Sequence, residues 1–316
     1  MNRHVAIGVD VGGTKIAAAA VDVRSGDVLM RDEIPTRREE GGARVLERLH
    51  GLVSDVHDWL ADRNIQSLGV GIGIPELVNN EGEIKSDWNF DWNRRDVKGR
   101  LADFGAVILE SDARTAALAE SLFGHGRDYP SFVFITIGTG LSCAFWRDGH
   151  IHRGANGYAI HFGSNDMMAV CSACGEQGAF NLEAFASGRG LSETLRKRTG
   201  QTLDAQSLVD AASNDAAKLL LDQASTALAS YIGQLVNILD PHAVVIGGGL
   251  GLAPSVFDEL ERKSRIYIWA KDCRSTPIVK SAIHKDSAMI GAAAAFRDSH
   301  VDDQDHDPAY GHDPEA

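Results

Sequence analysis

The sequence lacks any apolar run long enough to cross a membrane. The apolar stretch at residues 16–21 falls far short of the roughly 20 residues that a membrane-spanning helix needs. The N-terminal segment also lacks an apolar region followed by a small-residue cleavage site, so we predict no signal peptide. These two absences predict a cytoplasmic protein with no membrane partner.

Cysteine is scarce and basic runs are missing. Four cysteines in 316 residues, without a secretion signal, are typical of reduced thiols or a metal site rather than of a disulfide framework. The net charge is −13, which makes nucleic acids and anionic membranes poor partners. The C-terminal end is acidic, contains two prolines and shows no apolar periodicity, so we predict a disordered acidic tail over 298–316.

The rest of the chain has the composition of a soluble globular protein, with 44% hydrophobic and 24% charged residues. The first half is predicted to form three strands, a long amphipathic helix and a fourth strand, over 4–11, 16–23, 28–35, 45–60 and 67–74. The second half repeats the three strands over 132–137, 141–146 and 150–152. A helix-rich stretch over 182–239 and a short strand over 244–246 follow. We therefore predict two similar α/β lobes that face each other.

Three glycine-rich turns follow predicted strands and are candidates for binding phosphate. Backbone N–H groups of glycines can approach an anion closely, and a threonine hydroxyl or a lysine charge strengthens such a site. Asp10, at the end of the first strand, has the carboxylate needed to hold a water of a phosphate-bound Mg²⁺. An ordinary hairpin is the alternative for the first turn, and none of the three matches the P-loop or the dinucleotide-binding fingerprint. The turns contain Gly12, Gly13, Thr14 and Lys15; Gly138, Thr139 and Gly140; and Gly247, Gly248 and Gly249.

Seven segments resemble the ROK family of repressors and sugar kinases, in that family's order. They are VAIGVDVGGTKIAAAAVD, GVGIGIP, ESDARTAALAE, ITIGTGLSCAFWRDGHIHRGANG, LEAFASG, LDPHAVVIGGG and DSAMIGAAAAF. The resemblance implies the two-lobed actin-like ATPase fold, a ribonuclease H-like α/β fold with a central cleft. We expect lobes formed by 1–118 plus 283–297 and by 119–282. The resemblance further implies ATP and Mg²⁺ as cofactors. The substrate it implies is a small-molecule sugar, a hexose that is phosphorylated at its 6-hydroxyl, and the oligomeric state is a homodimer.

Two other functions remain open within this resemblance. The family's sugar-responsive repressors carry a helix-turn-helix domain before the phosphate hairpin. Here the aspartate of that hairpin is residue 10, and the chain is acidic, so we expect a kinase rather than a repressor. A catalytically weakened sugar sensor is the third alternative, and the retained Asp10, Asp112 and Gly-Thr turns weigh against it.

The resemblance also implies roles for individual side chains. Asp112, between a predicted strand at 106–110 and a predicted helix at 115–123, stands where the family has its general base. Phosphoryl transfer needs an in-line hydroxyl, neutralised charge and a group that takes the hydroxyl proton. A helix N-cap is the alternative role for Asp112. Ser111 replaces a family asparagine, Glu183 matches a glutamate that binds sugar hydroxyls, and Asn89 matches an asparagine near the sugar.

One departure from the family concerns its second sugar-binding glutamate, which is absent here. Without gaps, His161 takes the position of that glutamate and Ser164 that of a histidine. With a gap, Tyr158 and His161 take these two positions. The ungapped alignment keeps Gly163 on a family glycine and is the one we favour. His161 is expected near the sugar on both alignments.

A second departure is Glu76, which stands where the family has a glycine close to the sugar. If its side chain enters the cleft, Glu76, Asp112 and Glu183 provide three carboxylates that favour the amino group of an amino sugar. If it points to solvent, we expect a glucose-like sugar. N-acetylhexosamines and cyclitols are further alternatives.

The family's zinc site is incomplete in this chain. Cys171 and Cys174 are present, but the position of the third thiolate is held by Ala179 or by Asn181, depending on the alignment. Structural zinc requires four ligands, so we predict two reduced thiols and no metal. Cys143 and Cys273 are predicted to lie in the core.

Overall fold

The computed structural model describes residues 4–210 and 214–297, which form twelve strands and nine α-helices. The strands are β1 (Val5–Val11), β2 (Lys15–Asp22), β3 (Val28–Pro35), β4 (Ser67–Ile74), β5 (Ala106–Ser111), β6 (Ser131–Ile137), β7 (Leu141–Arg147), β8 (His150–Ile151), β9 (Asp166–Val170), β10 (Gln177–Asn181), β11 (Ala243–Gly247) and β12 (Ile278–Lys280). The helices are α1 (Gly42–Ala61), α2 (Val97–Arg100), α3 (Asp112–Phe123), α4 (Leu182–Ala186), α5 (Gly188–Thr199), α6 (Ala205–Asp210), α7 (Asp215–Leu239), α8 (Pro254–Tyr267) and α9 (Ser287–Ala294). Across these described residues, none of the helices has the length and apolar character of a membrane span.

The first sheet has the strand order β3-β2-β1-β4-β5. β1, β2 and β3 form an antiparallel meander, whereas β4 and β5 are added in parallel beside β1. Alternate residues of β1 face opposite sides of the sheet. Val5, Ile7 and Val9 belong to the core that includes the apolar stripe of α1, whereas Ala6 packs with α9. Burial on both faces explains why β1 is apolar from Val5 to Val9.

The second sheet repeats this arrangement in the order β12-β11-β6-β7-β8. β6, β7 and β8 again form an antiparallel meander, and β11 and β12 are added in parallel beside β6. Apolar side chains of α4, α5, α7 and α8 pack with β6, β7 and β11 in one core. The predicted duplication of the α/β unit is therefore confirmed.

Helix α9 approaches the first sheet closely because glycine occupies the point of contact. A Cβ atom on Gly8 of β1 would lie 2.1 Å from the carbonyl oxygen of Met289. A Cβ atom on Gly291 of α9 would lie 1.7 Å from the carbonyl oxygen of Thr115 on α3. Helix α9 is thus packed between the first sheet and α3, and any side chain at either glycine would force these elements apart.

The structure corrects three details of the sequence-based predictions. Helix α3 begins at Asp112 itself, and residues 166–181, whose sequence indicates only a remnant loop, form the antiparallel hairpin β9–β10. Cys143 is buried as predicted. Cys273 instead lies at the edge of the core, where its thiol donates to Asp240 Oδ1 at 3.4 Å. The predicted tail over 298–316 lies outside the described residues.

Candidate active site

The parallel strands of the first sheet bring Asp10 and Asp112 to the same edge. Asp10 of β1 is paired with Gly73 of β4, which is paired with Glu110 of β5. The chain then leaves β5 and enters α3 at Asp112. A Cβ atom on Gly73 would lie 3.5 Å from the Cα atom of Asp112, so the start of α3 rests directly over β4. The carboxyl ends of parallel strands are where ligands bind in open α/β sheets.

A cleft of ≈ 440 Å³ lies between the two sheets and contains part of each predicted phosphate-binding turn. Asp10 and Lys15 line it from the first lobe. Four predicted residues line it from the second lobe: Gly138, Thr139, Gly248 and Gly249. Asp112 lines the same cleft, so the structure brings the proposed base and the three turns together.

The cleft also contains residues that the sequence analysis missed. Gln206 and Val209 enter from α6, and His284 and Lys285 from the turn before α9. No motif marks α6. His284 and Lys285 directly precede the family segment DSAMIGAAAAF, which begins at Asp286 and was the available signal for this turn.

Hydrogen bonds fix the shape of the turn at Gly138–Gly140. The Gly138 N–H donates to the Gly140 carbonyl at 3.0 Å, and the Gly188 N–H, at the start of α5, donates to the Gly138 carbonyl at 2.8 Å. Ser187 caps α5 by accepting from the Gly190 N–H at 3.1 Å. The turn is therefore anchored on the first turn of α5.

The third turn requires glycine at residue 248 in particular. Gly248 has φ = 80°, and a Cβ atom there would lie 2.4 Å from the carbonyl oxygen of Ile137. Any larger residue would be strained and would push the turn away from β6.

The remaining predicted phosphate-binding residues do not line the cleft themselves. Gly12, Gly13 and Thr14 lie in the β1–β2 turn, where the Thr36 hydroxyl donates to the Gly12 carbonyl at 2.7 Å. Gly247 is the buried last residue of β11 and packs against Phe134. Gly140, the last of these residues, lies next to the carboxylate of Glu183, because a Cβ atom on it would be 3.0 Å from Glu183 Oε1.

Both carboxylates of the cleft have raised pKa values. Burial, together with the negative charge of Asp112, raises the pKa of Asp10 from 3.8 to about 7, and the positive charge of Lys15 opposes this rise. Burial also raises the pKa of Asp112 to about 6, an increase that the N–H of Ala113 and the hydroxyl of Ser111 oppose by donating to Oδ1 at 2.7 and 3.5 Å. The Ala113 contact gives Asp112 part of the capping role considered above, and both contacts end on the same oxygen. Both carboxylates therefore change protonation state close to neutral pH.

Two residues predicted to bind the sugar, Glu183 and His161, interact electrostatically with each other, and Glu183 also acts on Asp112. The hydroxyl of Ser164 donates to Glu183 Oε2 at 2.9 Å. Glu183 raises the pKa of Asp112, and partial burial together with the positive charge of Arg114 lowers the pKa of His161. The hydrogen bond links Ser164, which stands at the position of the family histidine in the ungapped alignment, to Glu183.

Glu76 occupies neither of the two expected places. Its side chain is only 4% exposed and accepts hydrogen bonds from the backbone N–H groups of Trp88, Asn89 and Phe90 at 3.2, 2.7 and 3.0 Å. The Ser86 hydroxyl donates to the same carboxylate. The expectations of a carboxylate in the cleft and of one in solvent are both wrong, because Glu76 organises the 86–90 segment. Within that segment the amide nitrogen of Asn89 donates to the Pro75 carbonyl at 2.8 Å.

The hairpin β9–β10 holds the two cysteines of the incomplete zinc motif near its tip. Cys171 and Cys174 are exposed free thiols, and donation from the Cys174 and Ala173 N–H groups lowers the pKa of Cys171. Asn181, one candidate for the third ligand position, instead caps α4 by accepting from the Ala184 N–H at 2.9 Å. Over 4–210 and 214–297, no three His, Cys, Asp or Glu side chains are grouped to hold a metal ion.

Known proteins resemble this chain along almost its whole length. Residues 6–299 match the ROK family. The chain is 29% identical to a glucokinase from Thermotoga maritima, over 92% of this chain and 97% of that protein. It is 31% identical to an N-acetyl-D-glucosamine kinase from Pasteurella multocida, over 92% and 98%. Its fold is similar to that of a ROK family glucokinase from Streptomyces griseus in complex with glucose and AMPPNP, with a TM-score of 0.79, 24% identity and coverage of 93% and 99%. The predicted fold class is confirmed.

Proposed function

Because this chain belongs to the ROK family, we propose that it is a sugar kinase that transfers the γ-phosphoryl group of ATP to the 6-hydroxyl of a glucose-like hexose. The observation that supports this most is the position of Asp112. Its carboxylate is half-buried, has a pKa of about 6, and lines the same cleft as Lys15 of the first turn and the glycines of the other two turns. General bases work best when their pKa lies near the operating pH.

ATP and Mg²⁺ are chemically compatible with the residues of this cleft. Asp10 and Asp112 supply the oxygen ligands that Mg²⁺ prefers, directly or through water, and their mutual repulsion is of the kind that a divalent cation relieves. Lys15 and the N–H groups of the Gly138 and Gly248 turns supply positive charge and donors for phosphate oxygens. When bound, Mg²⁺ would neutralise charge on the phosphates.

The chain's own residues would then perform the acceptor side of the reaction. Asp112 accepts the proton of the sugar hydroxyl at its carboxylate as that hydroxyl attacks phosphorus. Glu183, His161, Asn89 and Ser111 hydrogen-bond the remaining hydroxyls and hold the ring in line. Closing the lobes over the sugar excludes water, which would otherwise compete as the acceptor.

An N-acetylhexosamine is the second candidate substrate. The similarity to an N-acetyl-D-glucosamine kinase is as extensive as that to a glucokinase, which favours this class over cyclitols. The amino-sugar alternative loses its basis, because the carboxylate of Glu76 is committed to the 86–90 segment.

A coupled ADP-release assay across neutral hexoses, amino sugars, N-acetylhexosamines and cyclitols tests the proposal. We expect the highest kcat/KM with glucose or a close relative, and strict dependence on Mg²⁺. A higher kcat/KM with N-acetylglucosamine would support the second candidate. Sugar binding without any ADP release would contradict the kinase proposal and indicate a sugar sensor.

A further inference from the structure

Arg114 is a buried arginine that the proposed mechanism does not use. It lies on α3, two residues after Asp112, and is 7% exposed. Its Nη1 donates to the Gly157 carbonyl at 2.6 Å, and its Nη2 donates to the Val78 carbonyl at 2.7 Å. Its Nε forms an ion pair with Glu110 at 2.6 Å. One guanidinium group therefore joins β5 and two separate loops.

The two loops are those that carry the proposed sugar-binding residues. Loop 75–90 follows β4 and contains Val78 and Asn89, and loop 152–165 follows β8 and contains Gly157 and His161. They belong to the first and second halves of the chain, which form the two sheets. Arg114 is thus placed to hold the two walls of one pocket together.

A second set of contacts, independent of Arg114, joins the same loops. Gly157 has φ = 83°, and a Cβ atom there would lie 2.7 Å from the backbone of both Asn79 and Asn80. The Asn80 amide also donates to the carbonyls of Gly154 and Ala155 at 3.2 and 3.0 Å. Backbone packs on backbone at this junction, so it tolerates no added atom.

We propose that Arg114 is a positioning residue, whose forked guanidinium locks loops 75–90 and 152–165 into a single wall of the sugar pocket. The substrate part of this inference rests on the proposed kinase function. The fork matters because a guanidinium holds two carbonyls in a fixed plane, whereas a lysine ammonium is a single point donor on a flexible stem. Both carbonyls are at buried residues, and a buried acceptor that loses its donor destabilises its surroundings.

Arg114→Lys tests the forked geometry apart from the charge. It removes the guanidinium that donates to two carbonyls, but it keeps a positive charge near Asp112 and His161. The charged groups that act on Asp112 are Arg114 itself and Glu183 of α4, and Asp112 in turn acts on Asp10 of β1. With these charges retained, the acidic limb of the kcat profile against pH should not move. We expect the KM for the sugar to rise at least about tenfold, a factor that corresponds to about 1.4 kcal/mol, with the KM for ATP unchanged.

Gly157→Ala tests the junction without touching Arg114. The added Cβ separates the loops, so it should raise the sugar KM in the same way. Gly149→Ala is the matched control, because Gly149 also has φ = 83° but no atom within 4 Å of the added Cβ. It introduces the same backbone strain in the β7–β8 turn and should leave both KM values at the wild-type level.

Hydrogen exchange gives a readout that does not depend on kinase activity. In Arg114→Lys and Gly157→Ala, the amides of residues 75–90 and 152–165 should exchange faster than in wild type, and in Gly149→Ala they should not. Unchanged exchange in Arg114→Lys would overturn the inference even if no sugar is ever phosphorylated. A sugar KM within about twofold of wild type in Arg114→Lys, or an equal rise in the KM for ATP, would also overturn it.

Discussion

At the scale of single residues, the main feature of the cleft is a pair of carboxylates whose negative charges repel each other. Asp10 and Asp112 are both half-buried, burial raises the pKa of each, and the charge of Asp112 opposes ionisation of Asp10. Such pairs concentrate at functional sites, where a substrate or cation completes the charge balance. Both residues can be identified in the sequence by their motifs, whereas their pKa values depend on burial that only the folded chain creates.

The raised pKa of Asp10 predicts a pH-dependent gain in stability for Asp10→Asn. Because the folded-state pKa of about 7 lies above the ordinary 3.8, the stability that Asp10 contributes is present below the ordinary pKa and lost as the pH rises through about 7. Asp10→Asn removes this loss. The free energy of unfolding is to be measured by urea denaturation without divalent cations, for the variant and for wild type. We expect the gain of the variant over wild type to be larger at pH 8 than at pH 5, by at least about 1 kcal/mol.

A control for this measurement is Asp55→Asn, which changes an exposed carboxylate on α1. It should shift stability equally at both pH values. If the gain in the free energy of unfolding of Asp10→Asn does not depend on pH, it does not come from removing the ionised carboxylate. That result would contradict the claim that burial disfavours the charged form of Asp10.

Glu76 shows why a departure from a family pattern is hard to interpret at this scale. A carboxylate replacing glycine near a sugar indicates an electrostatic change in the cleft. In the fold its partners are backbone N–H groups of residues 88–90. Backbone donors are common to every residue type, so no sequence pattern records which of them a distant side chain will meet.

At the scale of secondary-structure elements, what could be predicted was set by burial. The strands of both meanders pack into cores, and their apolar runs predicted them to within a few residues. The hairpin β9–β10 is largely exposed, including Met168 and Val170 at 63% and 62%. An element without a buried face has no hydrophobic period, so its pattern indicated only a loop.

The same hairpin carries the prediction about zinc. Because only Cys171 and Cys174 remain of the thiolates, we expect purified protein to hold well under one zinc per chain. The fold, followed by circular dichroism, should persist in the presence of a chelator. Stoichiometric zinc by elemental analysis, lost in Cys171→Ser, would contradict this prediction.

At the scale of the whole molecule, two copies of one strand order face each other and create the cleft between them. The glycine turns, Asp10 and Asp112 could be assigned to it because each follows a strand in a repeated pattern. The lining from α6 and the junction at Arg114 could not, because both depend on how distant segments meet. Motifs therefore identified the chemistry, and tertiary packing determined the shape of the pocket around it.

Turnover by Asp112→Asn is the measurement that tests the central claim most directly. The substitution preserves shape and removes the ability to accept a proton, and general-base assistance is worth about 10²–10⁴ in rate. We predict that kcat falls at least about 100-fold while the Kd for the sugar changes little, with Asp55→Asn retaining full turnover. A kcat close to that of wild type would mean that Asp112 only caps α3, and the mechanism proposed for this cleft would be wrong.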